Sequence, residues 1–301
     1  MTDLIIVGGG PAGLTAALYA ARAGKSVTVL EKNAFGGQIT WSPNVENFPA
    51  TPALSGLAFS DRLVEQVTAL GVTLELGEVT DIQLENETVT VTTDFDETYS
   101  ANALILATGA TPRKLGLPTE EKYIGAGISF CAVCDGDFYR HKTVAVIGGG
   151  NSALQEAVYL SALCKTVYLI HRRNEFRADR SLVEKIKKQE NIVFLPERVV
   201  SDLQGETHLT GITLKKNNGK TEDLPLDGLF VAIGHDPENA LFPSLVSMTE
   251  SGYADADESC KTDHPQIFVA GDCRRKEVRQ LTTAVSDGAN AALAACRYLD
   301  R

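Results

Sequence analysis

Cys131 and Cys134 stand one helical turn apart in the stretch Cys131-Ala132-Val133-Cys134-Asp135-Gly136-Asp137, a spacing at which two thiols can close a small disulfide ring. Such a pair does redox chemistry when one sulfur is held as a thiolate that attacks a partner's disulfide. Asp135, directly behind the second cysteine, is the candidate to supply or take the proton, and Asp137 reads as a surface charge. The competing use of this spacing is half of a zinc site. That needs a second ligand pair, whereas Cys164, Cys260, Cys273 and Cys296 each stand alone, so no metal is expected.

The elements that must position this pair begin at the N-terminus. Leu4 to Val7 is an apolar run that enters the glycine turn Gly8-Gly9-Gly10-Pro11-Ala12-Gly13. Leu14 to Ala23 then reads as an alanine-rich helix, and a second strand, Val27 to Leu30, is closed by Glu31. This is a complete dinucleotide fingerprint. Gly8 makes the tight turn, Gly10 lets the backbone approach a pyrophosphate at the helix start, and Gly13 allows helix to pack closely on strand. Glu31 lies about 20 residues on, where a carboxylate binds ribose hydroxyls.

A second fingerprint, Gly148-Gly149-Gly150-Asn151-Ser152-Ala153, overlays the first without a gap when the numbering is shifted by 140. Gly8 meets Gly148, Gly10 meets Gly150, Gly13 meets Ala153, and Glu31 is replaced by His171, followed by Arg172, Arg173 and Arg177. A carboxylate there would repel a 2′-phosphate, whereas arginines offer it charged bidentate hydrogen bonds. The glutamate-ended copy therefore suits FAD and the arginine-ended copy NADPH. The cysteine pair lies between them, Cys134 only 14 residues ahead of Gly148, an order that implies electron flow from NADPH through a flavin to a disulfide.

Between the first copy and the cysteines, 57–70 has helical spacing and 72–99 reads as short antiparallel strands, a β-meander. Ala103 to Gly109 returns as a buried strand ending at Thr108-Gly109. Leu229 to Gly234, with Ile233-Gly234 at its end, closes the second copy in the same way. Gln266 to Ala270 runs into Gly271-Asp272, then Arg279-Gln280 and a long helix from Leu281 to Leu299. The expected fold is α/β, two Rossmann-like domains with the second inserted into the first and a small β-meander in each. The expected division is 1–113 and 237–301 for the FAD domain and 114–236 for the NADPH domain that carries the cysteines.

The chain has 301 residues, of which 44% are hydrophobic, enough to fill two cores. Met1-Thr2-Asp3 leads straight into a core strand, with no basic segment of a signal peptide, and no run reaches membrane-spanning length. Six cysteines are too few for a disulfide scaffold, so a reducing cytoplasm is expected. A net charge of -11 argues against a nucleic-acid surface.

Seven motifs in this order resemble the low-molecular-weight thioredoxin reductases of bacterial type over nearly the whole chain. They are the first fingerprint, Gly36-Gly37-Gln38, Val45-Glu46-Asn47-Phe48-Pro49, Ala107-Thr108-Gly109, Cys-x-x-Cys-Asp, the second fingerprint with its His-Arg-Arg-x-x-x-Arg, and Gly271-Asp272. The resemblance implies that FAD is held by the segments 31–38 and 272–281, with Asp272 near the ribityl chain and Arg279 and Gln280 near the isoalloxazine. It implies that Cys134 faces the flavin, that Cys131 attacks thioredoxin, and that the protein is a homodimer. Gln155 and Cys273 depart from the commonest family pattern; Cys273 reads as an apolar filler, and Trp41, just after the flavin loop, as a packing residue or else a docking or flavin-shielding one. Because dithiol and nicotinamide belong to the inserted domain yet must meet one flavin, rotation about the crossovers near 111–114 and 234–237 is expected. Alternatives are a reductase of the same fold that uses ferredoxin or serves another disulfide carrier, and a flavin-based redox sensor. The arginine-ended fingerprint argues against the ferredoxin form and is superfluous to a sensor.

Overall fold

The computed structural model describes residues 1–42 and 45–301. The chain divides into two compact units, Met1–Thr111 with Asp236–Arg301, and Pro112–His235.

In the first unit, β1 (Thr2–Val7) enters α1 (Pro11–Arg22), whose first residue is a proline suited to the first helical position. It is followed by β2 (Val27–Glu31), α2 (Gly56–Ala69), β3 (Thr73–Leu76), β4 (Val79–Glu85), β5 (Thr88–Thr93) and the long β6 (Thr98–Leu106). The sheet order is β3-β2-β1-β6-β5-β4. The antiparallel reading of 72–99 holds for β4, β5 and the start of β6 and fails for β3. Thr73 to Leu76 pairs parallel with β2; a period-two pattern of side chains states which face is buried and nothing about strand direction.

The crossing strand β7 (Ala110–Pro112) leads to α3 (Glu120–Tyr123), the two-residue β8 (Ile128–Ser129) and α4 (Ala132–Asp135), the turn between the two cysteines. The second unit continues with β9 (Thr143–Ile147), α5 (Asn151–Ser161), β10 (Thr166–His171), α6 (Arg180–Lys187) and β11 (Ile192–Pro196), then β12 (Arg198–Gln204), β13 (Gly211–Lys216), β14 (Thr221–Pro225) and β15 (Gly228–Val231). β15 ends earlier than the strand expected to reach 234. The sheet order is β11-β10-β9-β15-β8, all parallel, and β12-β13-β14 is a separate antiparallel meander. The return strand β16 (His235–Pro237) pairs with β7. β17 (Ile267–Val269) then adds in parallel to the C-terminal half of β6, and α7 (Leu281–Leu299) completes the first unit.

The central parallel strands of both sheets are buried on both faces, as strands of parallel sheets are. In the first unit Leu4, Ile6, Val27 and Val29 face α1 and α7, while Ile5, Val7 and Leu30 face the meander residues Ile82, Val89 and Val91. In the second, Val144, Val146 and Leu169 face α4, α5 and α6, while Ala145, Ile147 and Ile170 face Leu203, Ile212 and Leu214 of the meander. One plan is thus built twice, with one difference in chain order. The strand beside the returning strand is β17 in the first unit, late in the chain, and β8 in the second, early in it. These two strands lead into Gly271-Asp272 and into the cysteine pair respectively. Among the described residues no helix is long and apolar enough to cross a membrane.

Candidate functional site

In the first unit the parallel strands deliver their C-terminal ends to one side, where open α/β sheets bind ligands. Gly8, at φ +107, cannot carry a side chain: a Cβ there would lie 2.3 Å from the Ala107 carbonyl oxygen, at the end of β6. A Cβ on Gly13 would lie 1.9 Å from the Gly8 oxygen, so α1 can sit this close to β1 only with glycine. At Gly10 the same test finds open space within 4 Å, a backbone bared in front of a helix start. Glu31 closes the turn: its carboxylate accepts from Gly9 N at 2.7 Å and Asn33 N at 3.0 Å.

The other expected residues of this unit gather around that turn. Gly36 donates its amide to the Gly9 oxygen at 2.7 Å, and Gly37 packs against the Gly10 Cα. Gln38 donates to the Ala110 carbonyl at 2.6 Å, Asn47 to the Gln280 side chain at 3.3 Å, and Thr108 to Asn239 at 3.4 Å. Gly109 has φ +77 and open space before it. Ala12 packs beneath Gly271, and Leu281 is the first residue of α7, whose start is closed by Gln280 N donating to Thr283 Oγ1. Arg279 stacks its guanidinium 4.2 Å over the Tyr253 ring and donates to the Asp272 carbonyl. Asp272 Oδ1 is sealed from solvent and receives no hydrogen bond, and burial raises the pKa of its carboxyl above the ordinary carboxylate value. An open glycine cradle, a carboxylate at the end of β2 and a buried acceptor without a donor fit a dinucleotide that carries a hydroxylated chain.

The second unit repeats the turn with one relaxation. A Cβ on Gly148 would lie 2.4 Å from the Ala232 oxygen, as Gly8 abuts Ala107, and Gly150 again faces open space. Ala153 occupies the place of Gly13 with a real methyl group, fully buried. His171 lies against the middle glycine as Glu31 does, so close that a Cβ on Gly149 would meet its ring at 2.3 Å. Its Nε2 has no hydrogen-bond partner. Burial, then the charges of Arg172, Arg173 and Arg177, lower the pKa of this imidazole, against the backbone of Glu175. Arg177 donates its amide to the Gly149 oxygen at 2.7 Å, and Asn151 and Asp179 exchange hydrogen bonds at 3.1 and 2.8 Å. Ser152 is exposed at the start of α5, and Ile233 and Gly234, at φ +110, follow β15. The side chains of Arg172, Arg173 and Arg177 are exposed, and among the described residues no carboxylate pairs with them. Three uncommitted guanidinium groups beside an open cradle fit a dinucleotide with an extra phosphate.

The cysteine pair is closed. Cys131 and Cys134 form a disulfide with Cα atoms 5.3 Å apart, and Cys131 Sγ accepts from Cys134 N at 3.2 Å at the start of α4. Ser129, the last residue of β8, accepts from Cys131 N at 3.1 Å and donates to Asp135 Oδ2 at 2.7 Å. Asp135 Oδ1 is buried without a partner, and burial raises the pKa of this carboxyl, with Ser129 pulling it down. A carboxyl that burial raises above the ordinary carboxylate value thus follows Cys134 directly in the chain. The four other cysteines are buried and free, and burial pushes their thiols away from reactivity, Cys164 to about 11 and Cys260 to about 12. Cys273 is fully buried as a filler would be, but its thiol also donates to the Ala270 carbonyl at 3.3 Å, and Trp41 is half exposed rather than packed.

Sequence reasoning missed three residues of these sites. Ser129 carries no motif, Asp287 anchors the Gly271 turn from within α7, and Glu156 lies beneath α4. The signal for the last two was available only as an acidic residue inside an otherwise apolar helix.

The profile of the pyridine nucleotide-disulphide oxidoreductase family matches residues 2–288. The chain is 42% identical to a thioredoxin reductase of Coxiella burnetii over 99% of this chain and 96% of that one. It is 40% identical to a thioredoxin reductase of Escherichia coli O157:H7 over the same shares. Among solved structures, the thioredoxin reductase of Streptococcus pyogenes MGAS5005 superposes with a TM-score of 0.94 at 37% identity, over 100% of this chain and 98% of that one. Two glycine cradles of opposite polarity, a closed Cys-x-x-Cys and full-length similarity agree: the chain belongs to the pyridine nucleotide-disulphide oxidoreductase family, with the bacterial-type thioredoxin reductases.

Proposed function

We propose that the protein is an NADPH-dependent thioredoxin-disulfide reductase, which passes electrons from NADPH through FAD to Cys131 and Cys134 and on to oxidised thioredoxin. The observation that carries this reading is the Cys131–Cys134 disulfide at the C-terminal end of β8, in the sheet whose strand β9 ends in an open glycine cradle. Gly8, Gly10 and Gly13 hold the pyrophosphate of FAD at the start of α1, Glu31 its adenosine ribose and Asp272 its ribityl chain. Segments 36–38, 108–109 and 279–281, with Asn47, line the rest. Gly148, Gly150, Asn151, Ser152 and Ala153 hold the pyrophosphate of NADPH, with His171, Arg172, Arg173 and Arg177 at its 2′-phosphate and Ile233-Gly234 across the sheet. Bound FAD supplies a two-electron relay between a nicotinamide and a disulfide.

The thiol chemistry is done by the chain itself. Two electrons open the Cys131–Cys134 bond, and two protons are needed before both sulfurs are thiols. Cys131, as a thiolate, attacks a thioredoxin disulfide: a mixed disulfide forms and the second thioredoxin sulfur leaves as a thiolate that takes a proton. Cys134 then attacks Cys131, restoring the internal bond and releasing the first thioredoxin sulfur. Asp135 holds or yields the proton at each exchange. Turnover requires the inserted unit to rotate about β7 and β16, since both the disulfide and the nucleotide cradle belong to it. The active form is a cytoplasmic homodimer.

The test is an anaerobic titration of the flavin absorbance with NADPH and with NADH, followed by oxidised thioredoxin. NADPH should bleach the flavin and thioredoxin restore it; no bleaching by NADPH would overturn the reading. Cys134→Ser should leave bleaching intact and abolish thioredoxin turnover.

A further inference from the structure

The helical turn between the two sulfurs rests on α5 at both of its ends. Ala132 is fully buried in the cluster that contains Ala153, Leu154, Ala157 and Leu160, and a Cβ on Gly136 would meet Tyr159 and Leu160 at 3.1 Å. Glu156 lies on the same face of α5, three residues after Ala153 and four before Leu160. Its Oε2 is sealed from solvent with no hydrogen-bond partner, and the backbone amide of Ala132, next to Cys131, acts on its carboxyl. The turn thus lies between two half-buried carboxyls, Asp135 at one end and Glu156 beneath the other, each with one sealed oxygen that no group satisfies.

We propose that Glu156 is a positioning residue of the redox pair: its charge, held under the first residue of α4, sets how readily Cys131 and Cys134 carry a thiolate. The elements packed on α5 offer it no cation. α6 turns Leu182, Val183 and Ile186 inward and leaves Arg180, Glu184, Lys185 and Lys187 exposed. β9 and β10 contribute Val144, Val146, Val167 and Leu169, α4 contributes Asp135, and the turn after it contributes Tyr139, a phenol that burial pushes to about 12. His171 stands at the far end of β10, against Gly149. Only the Ala132 amide favours the ionised form, and burial dominates, raising the carboxyl to about 7. When the disulfide opens, two electrons place negative charge on two sulfurs. A carboxylate under the turn that carries them opposes the thiolate, and a carboxylic acid does not.

Glu156→Gln keeps an acceptor for Ala132 and removes the charge. This proposal rests on the redox reading of the pair, but its test needs neither nicotinamide nor thioredoxin. The flavin-loaded protein is reduced with a dithiol reagent, the reagent is removed, and the rate of alkylation by iodoacetamide at Cys131 is followed by mass against pH. The variant should reach its half-maximal rate about half a pH unit lower, up to about threefold faster above pH 7 and no faster at pH 6, where Glu156 is already protonated, with unchanged flavin absorbance. The unsubstituted protein should show a second inflection near neutrality that the variant lacks. Superimposable profiles would overturn the proposal. If the variant does not fold, a single-ionisation curve in the unsubstituted protein overturns it equally. A pair that cannot be reduced and alkylated at all would refute the redox reading itself.

Discussion

Asp287 should be the costliest side chain to remove from the first unit. One carboxylate inside α7 accepts from Gly271 N at 2.9 Å, Arg274 Nε at 2.9 Å, Arg274 Nη2 at 2.7 Å and Lys276 Nζ at 2.8 Å. The side chains of Asp287, Arg274 and Lys276 are 2%, 1% and 4% exposed. Asp287→Ala leaves two buried cations and a buried amide without their anion. Glu258 reaches Arg274 Nη2 at 3.1 Å but is 86% exposed, so water screens most of its help. Breaking a buried pair by removing one partner costs about 3–5 kcal/mol. At roughly 2–4 °C per kcal/mol for a unit of this size, melting should fall by about 10 °C. Thermal denaturation followed by circular dichroism and by flavin release checks this, and the loss should persist at high salt because the cluster is dry. The Gly271-Asp272 turn loses its anchor too, so flavin should dissociate well before the second unit melts. A melting point within 1 °C of the unsubstituted protein would refute the reasoning.

Arg172→Ala with Arg173→Ala should raise KM for NADPH at least tenfold, given about 1.5–3 kcal/mol per hydrogen bond to a charged group, and leave KM for NADH nearly unchanged; equal changes would mean that these arginines do not read the phosphate. Gly13→Ala should abolish flavin binding or folding, since its Cβ would lie 1.9 Å from the Gly8 oxygen, whereas Ala153→Gly at the matching position should cost only about 1 kcal/mol; urea titrations of both variants compare them. Asp135→Asn should stabilise the protein at pH 8 and not at pH 3. Burial raises the pKa of this carboxyl in the folded state, so the native form binds the proton more tightly than the unfolded one. Stability is therefore lost as pH rises from the ordinary value of 3.8 through the folded value. Melting points at the two pH values test the sign, and thioredoxin turnover should fall in the same variant.

The motifs were legible because their chemistry is local. Gly8, Gly10 and Gly13 declare themselves through a backbone that a Cβ would block or close, and the Cys131/Cys134 spacing needs only one turn of chain. The 140-residue offset placed His171 opposite Glu31, and both lie against the middle glycine of their turns. β3 was misread because alternation in a short strand says nothing about its partner or its direction. Of the two readings of Trp41, packing rested on the usual burial of aromatic side chains, and its half-exposed ring favours the docking or flavin-shielding one.

By itself the sequence determined two nucleotide-binding turns of opposite polarity, a dithiol between them and the α/β class, each motif set by residues within about 30 positions along the chain. The tertiary structure alone decided what surrounds the dithiol. The Asp287 clamp joins α7 to a turn 16 residues away, and Glu156 has an oxygen sealed from solvent where α4 docks on α5. β8 and β17 take equivalent places in their sheets from opposite ends of their units' chain order. Burial and long-range pairing set the charge state of a carboxyl, and a linear pattern records neither.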